Sequence, residues 1–390
     1  MNYASKYRLV LVAAAAAAFF SDLIAFLMDA KLIPFTVTHA FLLFAIACVP
    51  VLTRPPADRG QRQAVFFWCF ATLVVIFVSL SWAQLGEGGQ TLFRNRVFGI
   101  IFLVLMLLLF SDRQTCRFAA GAVVCVTLVS VALNIYEMFA PGTFSTNPGR
   151  SAGLYENSNK SGAALVLGMI VGLEVVSMRW QVLYALAVGV GVATTFSRSA
   201  MLGWALMASL AIAMRHGTGR FTRYALIVAL AGAVSGPAVI LYLEDRGMLD
   251  DNTASRANFE IGGESDEYRF EAAQFALDVI VEHPFLGRGT GASVEPPFDF
   301  VGPHNIYLAL MIEHGILGGL ILPALLVAST WGAASEFRPI TVPLAIFLSY
   351  WGFFSHNILE ERYILFVVAL ATSFTAAPPP PRPATPGLIS

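Results

Sequence analysis

Arginine, histidine and asparagine gather in four short stretches of a chain otherwise dominated by apolar residues. The first is Arg150 to Lys160, RSAGLYENSNK, and the second is Thr194 to Ser199, TTFSRS. The third surrounds Arg269 in ESDEYRFEAAQFALDVIVE, and the fourth is His304-Asn305 in VGPHNIYLAL. Arginine offers a planar fork of N–H donors and stays charged at any working pH, so Arg198 and Arg269 suit a phosphate or diphosphate. Histidine titrates near pH 6.5 and is able to take a proton from an attacking hydroxyl. Each stretch also has a plainer reading. Arg198 is able to snorkel at a membrane surface. Arg269 is able to anchor its own segment to Glu264, Glu267 or a lipid phosphate. His304 and Asn305 are placed to cap a helix, as are Arg150, Asn157, Asn159 and Lys160, whose other reading is to line a pocket. Arg288, in the Gly287-Arg288-Gly289 loop, adds positive potential or only follows the turn.

These residues must be held by membrane helices. Of 390 residues, 57% are hydrophobic and 13% are charged, against about 25% charged in a soluble domain. The mean hydropathy is +0.70. Apolar runs are long and continuous, which excludes the alternation of a β-barrel and indicates an all-α, polytopic membrane protein. A span takes about 20 apolar residues, and the runs give about twelve: 9–29, 33–52, 64–82, 97–110, 118–140, 161–178, 180–195, 199–214, 224–243, 304–331, 339–355 and 358–376. The chain therefore divides into spans one to nine (1–243), one large polar loop (244–303), spans ten to twelve (304–376) and a proline-rich, extended tail (377–390). The acidic start of Glu264 to Glu282 and its recurring apolar residues predict a helix within the loop, lying on the membrane surface. The segment HPFLGRGTGASVEPPFDFVGP then breaks into turns.

Sidedness follows from Lys and Arg in short loops. With the N-terminus inside, 13 of them fall on the cytoplasmic side and 7 on the outer side, the latter including Arg94, Arg96, Arg150, Lys160 and Arg198. Both termini are then cytoplasmic, and the polar loop and all four stretches face outward. The cysteines, Cys48, Cys69, Cys116 and Cys125, form neither a CxxC nor a His/Cys cluster, so no disulfide or metal site is expected. Glu313 and His314 fall on different faces and form no expected pair. Asp22, Glu137 and Glu174 lie in or near spans without an evident relay.

In order, RSAGLYENSNKSGAAL, TTFSRSAMLG, EYRFEAAQFALDVIVEHPFLGRGTG and PHNIYLALMIEHGILGGL resemble the motifs of the bacterial O-antigen ligase and polymerase superfamily. The resemblance runs from about Arg150 to Gly319. It implies a glycosyltransferase that needs neither metal, nucleotide nor other cofactor. Such an enzyme moves a glycan from undecaprenyl diphosphate to an acceptor, lipid A–core in the ligases, at the periplasmic face of the inner membrane. It would make Arg198 and Arg269 diphosphate-binding residues and His304 the catalytic or acceptor-side histidine. Arg150, Asn157, Asn159, Lys160, Asn305 and Arg288 are the candidate substrate-binding residues. Membrane lipids are the other partners, and no nucleic acid is expected. A single large outer loop favours ligase over the sister polymerase, which shares the lipid carrier. A lipid-linked glycan transporter is the alternative of another class, although no paired repeats or broken helices are evident in the sequence.

Overall fold

The computed structural model describes residues 3–52, 60–146, 149–216, 264–296 and 302–376. The ninth expected span (224–243), residues 244–263 of the loop and the tail from 377 lie outside them. Fourteen α-helices form among the described residues, with no strand: α1 Tyr3–Ala15, α2 Leu23–Asp29, α3 Val37–Leu52, α4 Gly60–Ser79, α5 Glu87–Leu109, α6 Arg113–Phe139, α7 Ser158–Gly172, α8 Gln181–Ala193, α9 Arg198–His216, α10 Glu264–Glu282, α11 Ile306–His314, α12 Ile321–Thr330, α13 Arg338–Trp351 and α14 Arg362–Ala376. Among the described residues, four segments are long and apolar enough to cross a membrane: Tyr3–Phe20, Arg62–Ser79, Glu87–Leu109 and Arg113–Phe139.

Helices α7 and α14 are apolar on every side, and such helices belong inside a bundle. From Ser161 to Leu173, and from Tyr363 to Phe374, every residue is buried. Small residues let neighbours come close. A Cβ at Gly168 would lie 2.1 Å from Thr127 Oγ1 of α6, and one at Gly162 would lie 2.5 Å from Ala200 Cβ of α9.

Polar contacts collect at the two ends of the bundle. At one end Arg8 donates to Val51 O (3.0 Å) and Ser111 Oγ (2.5 Å). Arg62 donates to Phe110 O (2.7 Å), and Arg215 to Pro339 O (3.0 Å). Arg215 also pairs with Glu174 (3.4 Å). All three basic residues at these contacts belong, by charge bias, to the cytoplasmic set. The four motif stretches meet at the opposite end, described below.

Three expectations about helices change. First, the span expected over 97–110 begins ten residues earlier, because α5 carries Arg96 into the bundle. Second, the first span breaks after a π-helical turn at Ala16–Phe20, where Asp22 adopts φ 58°. Third, the span expected over 304–331 is in pieces. Gly315 takes φ 72°, and a Cβ there would lie 2.3 Å from Phe285 O. The loop 284–289 plugs this break. Arg288 N–H donates to Ile312 O (2.7 Å), Gly289 N–H to Glu313 O (2.9 Å) and Ile316 N–H to Pro284 O (2.8 Å). Two of the last carbonyls of α11, those of Ile312 and Glu313, which a helix end leaves unpaired, thus find donors in the loop. The expected helix in the polar loop is α10, whose Ala276, Val279 and Ile280 pack on Leu308, Met311 and Ile312 of α11.

Candidate functional site

Helix α13 and the turn that follows it draw the motif stretches together. Tyr350 Oη donates to Ser199 O (3.1 Å), beside Arg198 at the start of α9. One residue earlier, Ser349 O accepts from Tyr307 Oη (2.8 Å). Gly352 O accepts from Ile306 N–H (2.9 Å), which fixes the start of α11 just after His304. The next residues run back over the site. His356 packs edge to face on His304, with ring centroids 5.5 Å apart, and Glu361 pairs with Lys160 at 2.8 Å.

His304 is the chemically distinctive residue. It holds φ 50°, a left-handed conformation that is uncommon outside glycine and whose strain collects at functional sites. It is half-buried, and the charge of Arg269 on α10 reaches it. Burial first, and Arg269 second, push its pKa down to about 4. Burial, with His304, Arg96 and Lys160 nearby, pushes His356 down to about 3. Both rings are therefore neutral at neutral pH. His356 Nδ1 is buried and has no hydrogen-bond partner among the described residues.

The other expected residues divide by role. Asn305 caps α11, accepting from Tyr307 N–H (3.0 Å) and Leu308 N–H (3.3 Å). Asn157 caps α7, accepting from Asn159 N–H (2.9 Å) and Lys160 N–H (3.3 Å). Each leaves a carboxamide nitrogen for other uses, but the cap is what the geometry displays. Arg150 ties the first stretch to the second, donating to Thr195 O (3.0 Å) and Asn159 Oδ1 (3.0 Å). Ser151 N–H adds a bond to Thr194 O (3.1 Å). Arg198 and Arg269 are both half-buried, at the start of α9 and on α10. Arg288 stands apart, lining a separate cavity.

Two sets of residues were not foreseen. Glu137 gathers the loop before α7. Its carboxylate accepts from the N–H groups of Phe144 (3.0 Å), Ser145, Ala152 (2.8 Å) and Gly153 (3.0 Å). Glu313, expected to form no pair with His314, is bound by Arg96 and Ser293 and lies close to His314. Arg96 Nη1 donates to its Oε2 and Nη2 to its Oε1 (3.4 Å), and Ser293 Oγ donates to its Oε1 (2.5 Å). His314 Nε2 lies 3.6 Å from Glu313 Oε2. Arg96 Nε also donates to Glu360 Oε1 (2.7 Å). Arg96 is 1% exposed and Glu313 0%, so this charged knot lies inside the bundle, behind the histidines. It joins α5, α11, the Ser293 turn and the Glu360 turn. The position of Arg96 directly beside an apolar run is the one sequence signal for it.

The histidine shifts carry a stability consequence. The unfolded chain protonates both rings near pH 6.5, and the folded chain does so only near 4 and 3. Between those limits the unfolded state binds more protons, so stability is full above about pH 6.5 and falls as pH drops through the window. Thermal unfolding of the detergent-solubilised protein should shift down between pH 7.5 and 5. The shift should be smaller in His304→Asn/His356→Asn, and an unchanged slope in that variant would refute the burial of neutral histidines.

Among the described residues, no group of three or more His, Cys, Asp or Glu side chains is arranged to hold a metal ion. No curated protein and no solved structure matches the chain. A family model described as O-antigen ligase matches residues 183–322, from α8 to the start of α12. The matched region contains Arg198, Arg269, Arg288 and His304, whereas Arg150, Asn157, Asn159, Lys160 and His356 lie outside it. Over residues 183–322, this helical protein is similar to the O-antigen ligase family.

Proposed function

We propose that this chain is an O-antigen ligase, transferring a glycan from undecaprenyl diphosphate to lipid A–core at the periplasmic face of the inner membrane. The observation that carries this reading is His304, neutral and strained, held beside Arg269 at the end of the bundle where the four motif stretches meet. In the transfer, an acceptor hydroxyl attacks the anomeric carbon of the donor sugar. The new C–O bond forms as the bond to the diphosphate breaks, and its electron pair leaves with the diphosphate. Arg198 and Arg269 bind that diphosphate and offset the charge developing on it. The hydroxyl proton passes to His304, whose pKa rises as the anionic donor settles beside it. His356 packs against the His304 ring and limits its orientations. Both termini face the cytoplasm, and the exposed apolar residues of α10, such as Phe270 and Val281, rest on the outer leaflet.

The sister polymerase shares this chemistry and differs only in its acceptor. A transporter gains some support from the interrupted helices at Asp22 and Gly315, since transporters bind substrate at broken helices. The break at Gly315, however, is filled by the chain's own loop, whose N–H groups occupy the carbonyls of Ile312 and Glu313. Deleting the gene and separating surface glycolipids on gels distinguishes the three. A ligase leaves uncapped lipid A–core with long polymer accumulating on the carrier. Single repeat units on the core would instead indicate the polymerase, and loss of all outer-face polymer the transporter.

A further inference from the structure

A cavity lies beside the Ala292–Ser293 turn, which neighbours the histidines through Gly302. Its volume is about 720 Å³, toward the upper part of the range for small-molecule sites, roughly 300–1,000 Å³. Trp82, Gln84, His283, Arg288 and Glu295 are among the residues that line it. Ala292 forms part of its wall. The next residue, Ser293, faces the other way: a Cβ at Gly302 would meet Ser293 O at 3.1 Å and His356 Cδ2 at 3.5 Å. The Ala292–Ser293 turn thus lines the cavity and, through Gly302, neighbours His356.

The cavity is built rather than incidental. Glu295 is fixed over the start of α5, where its Oε1 accepts from Gly89 N–H at 2.6 Å. The helix keeps that place clear, because a Cβ at Gly86 would lie 2.3 Å from Glu295 Oε2. The loop carrying Arg288 is pinned on both sides of that residue. Its own N–H and that of Gly289 bond to α11, and Thr290 Oγ1 lies 2.6 Å from Ser79 Oγ. Gly289 takes φ 92°, with its Cα face against Ala83, so the close approach of loop and α4–α5 turn depends on glycine.

The lining has a consistent chemistry. Trp82 is 37% exposed and offers a flat apolar face with one polar edge. Arg288 only donates, Glu295 only accepts, and Gln84 and His283 do both. A hydroxyl also does both, and a sugar ring carries several hydroxyls around an apolar C–H face. Donors and acceptors beside an aromatic plate match that pattern better than they match a lipid tail or a compact ion.

We propose that this cavity is a carbohydrate subsite, taking sugar rings remote from the bond that reacts at His304. The proposal rests on the glycosyl-transfer reading above and extends it to the substrate's glycan. The sugars belong to the acceptor or to the donor, and both share the chemistry described. Binding there holds the reacting end near His304 without touching it, and so supplies binding energy from a non-reacting part of the substrate.

The test uses the full-length protein in detergent and saturation-transfer NMR with two probes: core oligosaccharide freed of lipid A, and delipidated glycan polymer. Wild type and His304→Ala should transfer saturation to one of them, and Trp82→Ala and Arg288→Gln should lose at least about fivefold of that signal. The probe that responds identifies the source. No signal from either probe with wild type, or undiminished signal in both cavity variants, would overturn the subsite. Because His304→Ala retains binding while losing transfer, failure of the subsite and failure of the transferase reading give different results. Sugar binding at Trp82 with intact ligation in the gene deletion would keep the subsite and remove the ligase.

Discussion

His304→Ala is expected to reduce glycan transfer by about 10²- to 10⁴-fold, the usual contribution of a positioned general base, with the protein still present in the membrane. Asn305 and not His304 caps α11, so the helix keeps its start when the imidazole is removed. The substitution does not relieve the left-handed conformation, since alanine tolerates it no better than histidine. Arg269→Ala and Arg198→Ala should likewise abolish transfer. Lysine should not rescue either arginine if the diphosphate is held by a two-pronged contact. Transfer is read as capped lipid A–core on gels from complemented deletion strains. Full activity in all three alanine variants would refute the site assignment.

Arg96→Leu is expected to be the most damaging single change to the fold. It leaves Glu313 and Glu360 buried without their shared cation. Removing one partner of a buried ion pair costs about 3–5 kcal/mol, and here one guanidinium serves two carboxylates on separate elements. Arg96→Lys should fall between, because a point charge cannot reproduce the forked contact to both. The triple change Arg96→Leu/Glu313→Gln/Glu360→Gln should recover much of the loss by removing the uncompensated charge. Membrane abundance and thermal unfolding in detergent measure these effects. An Arg96→Leu variant as stable as wild type would show that the knot does not hold the bundle together.

What was legible in the sequence was local. The bounds of α10 follow from its acidic start and from the proline after Glu282-His283. The caps at Asn157 and Asn305 follow from a polar residue meeting an apolar run. The order of the four stretches carried the resemblance that the match over 183–322 agrees with. What was not legible depends on distant pairing. Arg96 lies 217 residues from Glu313 and 264 from Glu360, and no periodicity within α5 announces either partner. Reading Arg96 as an outer-loop charge therefore followed from treating charge as a boundary. It is instead a buried charge that its partners make tolerable. The break at Gly315 had a local signal, a glycine after His314 followed by Gly318-Gly319, but continuous apolarity around it outweighed that sign. His356 stood out only as a polar turn. Its place against His304 comes from the α13 end, which sequence spacing does not reveal.

Reconstitution tests the central claim most directly. Purified protein in detergent is mixed with a diphosphate-linked glycan on its polyprenyl carrier and with lipid A–core, without nucleotide, and products are separated on a gel. The account predicts lipid A–core shifted to a glycan-capped form by wild type and left unshifted by His304→Ala. Donor converted to longer carrier-linked chains while lipid A–core stays bare would contradict it and make the chain a polymerase built on the same site.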